Sequence, residues 1–128
     1  MTPPFEETQR LLRLAQRDRE TFDLLLPLPK ASLAALGFLA QQSVEKALKA
    51  VAVTRGAEVR RTHDLAALGE AILADGGALP VTVDDLRSLN PYAVEFRYDD
   101  EIVPTITRAQ LDTLLSATLH WAQQCVEG

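Results

Sequence analysis

An all-α fold follows from three features of the chain. Apolar residues recur every three or four positions in several long stretches, prolines and glycine pairs fall between those stretches, and no run of useful length alternates apolar with polar. The expected architecture is an antiparallel up-and-down bundle of four long helices plus a short one, forming a single domain over residues 1–128. A chain of 128 residues buries roughly two thirds of its unfolded surface, so it needs neither disulfide nor metal to hold a core. That core is aliphatic, because Trp121, Tyr92, Tyr98 and four Phe are the whole aromatic stock.

Helix one is expected over about 5–26. Leu11, Ala15, Phe22 and Leu25 set its apolar period, and Pro27-Leu28-Pro29 ends it by removing donors and forcing the preceding residues out of the α region. Ser32 then caps helix two, over about 32–54, and Arg55-Gly56 closes it with a basic turn and a glycine. Its small residues, among them Ala34, Gly37, Ala40, Ala47 and Ala50, predict close approach of a neighbouring helix. Thr62 is the expected N-cap of helix three, with Asp64 in its first turn and Gly76-Gly77 at its end. Thr82 with Asp85 imitates a capping box imperfectly and starts a short helix through Leu86 and Leu89. Asn90 and Pro91 interrupt it, and helix is expected to resume from Tyr92 to Phe96, with Asn90 as its cap and Pro91 at its first position. Thr107 with Gln110 forms a capping box for helix five, about 108–126, whose stripe runs through Leu111, Leu114, Leu115, Thr118, Trp121, Ala122 and Cys125.

Composition excludes several functions. The net charge of −5 is no footprint for non-specific binding to nucleic acid, although it allows a local basic patch, and DNA is not an expected partner. A single cysteine, Cys125, rules out an intrachain disulfide framework and Cys-cluster metal sites, and fits a reducing compartment. No window approaches a membrane span, and the start carries Glu6 and Glu7 instead of a basic, then apolar, leader. The protein is therefore expected to be soluble, unprocessed and cytoplasmic, without membrane association. Two histidines far apart, with no paired helical ligands, argue against a metal, and no cofactor is expected.

Four polar features stand out. Gln41, Glu45 and Lys49 fall on one helical stripe, with Gln42 and Lys46 beside it. They make either a solvated face with an i,i+4 ion pair or a surface for a phosphate-bearing ligand or partner. Arg60 and Arg61 precede His63 and Asp64 at a helix start whose free amides attract anions, against the plainer reading of a capped helix with solvated arginines. Arg97 and Tyr98 lie among acidic residues, where Arg97 either clamps a phosphate or pairs with a neighbouring carboxylate. His120 and Trp121 read as packing residues, and Cys125 as a small buried hydrophobe.

Taken together, Ala40-Gln41-Gln42-Ser43-Val44-Glu45-Lys46-Ala47-Leu48-Lys49-Ala50, then Thr62-His63-Asp64-Leu65, then Pro91-Tyr92-Ala93-Val94-Glu95-Phe96-Arg97-Tyr98 resemble the signature blocks of HEPN domains, in order and in spacing. The resemblance implies a homodimeric helical bundle encoded beside a minimal nucleotidyltransferase, the two forming a toxin–antitoxin pair. It places Glu45, Lys46, Lys49, His63, Asp64, Arg97 and Tyr98 along one groove for a nucleotide, an RNA or the partner protein. Active relatives are metal-independent ribonucleases that use an Arg separated from a His by four to six residues. This sequence departs from that pattern: Arg55 lies eight positions before His63, Arg60 and Arg61 are too close to it, and Arg108 lies twelve before His120. Leu39 and Asp99 also stand where relatives often carry His and Pro. No catalytic residue is assigned on that basis; in a nuclease, His63 would be the acid or base and Arg97 the phosphate ligand. A non-catalytic dimeric scaffold, with the stripe fixing helix register, is the remaining reading.

Overall fold

The computed structural model describes residues 4–93 and 106–128. Among these are five α-helices and no strand: α1 (Pro4–Leu25), α2 (Leu33–Thr54), α3 (Leu65–Ala74), α4 (Val83–Arg87) and α5 (Arg108–Glu127). A 3₁₀ turn over Asn90–Ala93 takes the place of the helix expected to resume at Tyr92; the remainder of that stretch, to Phe96, lies outside the described residues. No described helix is long and apolar enough to cross a membrane.

The local signals act at the ends of these helices. Ser32 Oγ accepts from the Ala35 amide at 3.0 Å, and Thr107 and Gln110 close a full capping box on α5. Thr82 and Asp85 do the same on α4, so the shorter Asp side chain suffices where Glu or Gln is usual. Gly56 and Gly76, at φ of 93° and 89°, end α2 and α3 in Schellman motifs. The amides of Gly56 and Ala57 reach Val53 and Ala52, and those of Gly76 and Gly77 reach Leu73 and Ile72. The cap of α3 differs from expectation. Asp64, not Thr62, is the N-cap, its carboxylate accepting from Ala67 N–H, while Thr62 Oγ1 takes the Asp64 amide at 3.1 Å. An ionised carboxylate at a helix start outcompetes a hydroxyl for the orphan amides.

Helix α2 is the centre of the molecule. It runs antiparallel to α1, with Thr8 beside Thr54 and Ser43 Oγ donating to the Ala15 carbonyl at 2.8 Å. The connector 55–64 then turns back along it. The His63 carbonyl meets Gln41, and Arg55 pairs with Asp75, so α3 lies along the second half of α2. Helix α5 covers another side, and Arg108 at its first turn donates to the Leu26, Leu28, Pro29 and Ala31 carbonyls of the α1–α2 loop. The core is aliphatic, with Leu36, Leu48, Leu65, Leu86, Leu111 and Leu115 fully buried alongside Phe22 and Tyr92. The small-residue face of α2 admits the Tyr92 ring directly over Gly37, where a Cβ would overlap it. On α5, Trp121 and Cys125 are partly buried against the core. His120 is exposed, because the buried stripe runs through Thr118 and Ala122 and leaves position 120 on the outer side.

Candidate binding site around His63

The polar stripe of α2 is not a solvated face. Gln41 is fully buried and Glu45 nearly so, because α1, α3 and α5 enclose the helix on several sides. A buried carboxylate is tolerated only when donors surround it, and Glu45 has three. Its Oε1 accepts from Gln41 Nε2 at 3.0 Å and faces His63 Nδ1 at 2.7 Å, while Oε2 accepts from Lys49 Nζ at 3.1 Å. Gln41 also donates to the His63 carbonyl at 3.3 Å, and Gln42 Nε2 donates to Gln41 Oε1 at 2.7 Å. That last contact orients the Gln41 amide with its NH2 toward the two acceptors.

His63 differs from its supports in exposure. Its side chain is 72% exposed while the Glu45 side chain behind it is 6% exposed. The imidazole is thus anchored through Nδ1 and turns the rest of the ring to solvent. The connector positions it there: residues 57–64 carry no regular structure, and the Asp64 cap fixes where α3 begins.

Asp64 and Asn90 close the amino end of α3. Asp64 Oδ1 accepts from Ala67 N–H at 3.2 Å and from Asn90 Nδ2 at 2.9 Å, and Asn90 Oδ1 accepts from Leu65 N–H at 2.9 Å. The Ala67 amide, followed by the Asn90 side chain, holds the Asp64 carboxyl below its usual value of 3.8. The expected anion site at this helix start is therefore filled by the chain's own side chains.

The lysines are likewise engaged. Lys49 is bound to Glu45, and Lys46 turns to α1, where it forms an ion pair with Asp18. Both pairs are largely buried, so neither lysine offers a free cation to a phosphate. Arg60 and Arg61 are exposed and, among the described residues, form no ion pair or side-chain hydrogen bond. Of the residues singled out by sequence, the fold joins Glu45, Lys49 and His63, sets Asp64 beside them as a cap, and sends Lys46 to α1. Arg97 and Tyr98 lie outside the described residues. Among the described residues no group of three or more His, Cys, Asp or Glu side chains is placed to hold a metal.

The roles of Asn90 and Asp18 were not legible in the sequence, and Gln41, though named on the stripe, was not read as a partner of Glu45 and His63. Gln41 stood on the same stripe as Glu45, and its i,i+4 spacing was the available signal. Asn90, expected to cap a resuming helix, instead closes the start of α3, and nothing local marked Asp18; their partners lie 26 and 28 positions away.

Family comparison matches the HEPN domain over residues 8–119. No curated protein and no solved structure matches the chain.

Proposed function

Since the chain belongs to the HEPN domain family, we propose that it is the HEPN half of a toxin–antitoxin-type pair with a minimal nucleotidyltransferase, and that it acts as a homodimer. The His63 face is its docking surface for the partner and for nucleotide phosphates. The observation that supports this is a histidine exposed to 72% yet held from behind by a buried carboxylate. An ordered polar group on open surface, preceded in the chain by two exposed arginines with no partner among the described residues, suits an anionic ligand. Lys49 supports this face from below through Glu45, and Arg60 and Arg61 supply its charge. Calorimetric titration with ATP, and copurification with the neighbouring nucleotidyltransferase, test the two halves of the reading. Loss of both in His63→Ala with the fold intact is the expected result, and neither changing would refute it.

The contact between His63 Nδ1 and Glu45 favours a second reading, a metal-independent ribonuclease. A carboxylate at one ring nitrogen leaves the other able to take or give a proton. Incubation with tRNA and total RNA without metal decides it. Cleavage must occur and must vanish in His63→Ala; RNA left intact would remove this reading. The paired lysines also suit the third reading, in which the stripe sets helix register, and that role for Lys46 and Lys49 is compatible with the docking surface.

A further inference from the structure

We infer that Gln41 and Glu45 are positioning residues that hold His63 at two points and fix its ring in one tautomer, with the hydrogen on Nδ1 and Nε2 bare toward the ligand. The Glu45 carboxylate only accepts, so the 2.7 Å contact to His63 Nδ1 requires the hydrogen on that nitrogen. The second point of hold is on the main chain, where Gln41 Nε2 donates to the His63 carbonyl at 3.3 Å and to the same Oε1 at 3.0 Å. Gln42 locks the amide in the sense that makes both bonds possible. Lys49 occupies the other carboxylate oxygen, which keeps the carboxylate from rotating away from the ring.

The consequence is chemical. An unanchored neutral imidazole carries its hydrogen mostly on Nε2 and would offer the ligand a donor. His63 in its neutral form offers an acceptor instead, suited to a ligand hydroxyl or amino group, while Arg60 and Arg61 serve anionic oxygens. At metal-bound imidazoles, outer partners set orientation and tautomer in this way, and their loss typically costs about 10–100-fold in metal affinity or activity; the hold on the His63 ring is of the same kind.

This inference rests on the reading of His63 as a docking group, and nitrogen-15 spectra of the histidine rings separate the two. His120, exposed on α5 and without a partner among the described residues, is an internal control. Above the titration range of imidazole, His63 is expected to show a bare Nε2 and a protonated Nδ1, and His120 the opposite preference. Equal patterns for the two rings would overturn the inference, and this reading needs no variant. In Glu45→Ala combined with Lys49→Ala, which leaves no buried charge unpaired, the His63 pattern is expected to revert to that of His120. A pattern that persists in the double variant would also overturn it. ATP affinity, measured on the same samples, is expected to fall at least tenfold with the reversion. A fixed tautomer in a protein that binds no ATP would defeat the docking reading and leave the two-point hold intact. ATP binding with a mixed tautomer would do the reverse.

Discussion

Asp64 and Asn90 bind one another across the start of α3. The Asn90 amide donates to the carboxylate that caps the helix, and its carbonyl takes the first helical N–H, that of Leu65. Asp64 of the second motif block and Asn90, the residue just before the third, are thereby joined across 26 positions, next to His63.

Removing either partner should therefore cost more than a surface change. Asn90→Ala and Asp64→Ala are each expected to destabilise the protein by about 1–2 kcal/mol, the scale of a lost cap plus a lost hydrogen bond. The double variant should cost less than the sum, since the pair acts as a unit. Urea unfolding of the four proteins measures this coupling, and strict additivity would mean that the contact contributes nothing of its own.

The cap also carries a pH signature. The Asp64 carboxyl is held below 3.8 chiefly by the Ala67 amide and then by Asn90. A group whose folded value is depressed contributes stability that is complete above its unfolded value and is lost as pH falls through the folded one. The stability gap between the natural protein and Asp64→Ala is expected to hold from neutrality to about pH 5 and to shrink below about pH 4. Denaturant unfolding across that range follows it, and a gap that widened in acid would contradict the assignment.

Gly37 is required by the close approach of Tyr92. Gly37→Ala places a Cβ in the ring, so the turn at Asn90–Ala93 must shift. The overpacking is expected to cost about 1–3 kcal/mol, despite the better helix propensity of alanine. A thermal midpoint equal to or above that of the natural protein would show that the ring moves freely.

Lys46→Ala leaves Asp18 without its cation in a partly buried site. A loss of about 1–2 kcal/mol is expected, between the values for exposed and buried pairs. Asp18→Asn in the same chain should recover part of it. ATP affinity should change little in either, because Lys46 faces α1 and not the His63 surface. A large loss of affinity with an unchanged unfolding midpoint would return Lys46 to the ligand.

How far these features can be read from sequence depends on the range of the interaction that makes them. Ser32, Thr107 with Gln110, and the two closing glycines act within five residues, and each bounds its helix where the sequence indicates. The four-residue spacing of Glu45 and Lys49 likewise pointed to their ion pair. The burial of that stripe was not legible from its charges. The alanine-rich remainder of α2, with small or apolar residues on nearly every side, was the mark of a helix enclosed all round. The cap of α3 shifted to Asp64 because Asn90 reaches it from a distant segment. Arg108, marked in the sequence as the start of α5 and weighed only for its spacing to His120, gathers the carbonyls of a loop about 80 positions earlier, a contact that no local pattern encodes.

Calorimetric titration of ATP into the purified protein and into a correctly folded His63→Ala variant tests the central claim most directly. Saturable heat from the natural protein and none from the variant is the expected result. Equal heats from both, or none from either at millimolar nucleotide, would contradict it.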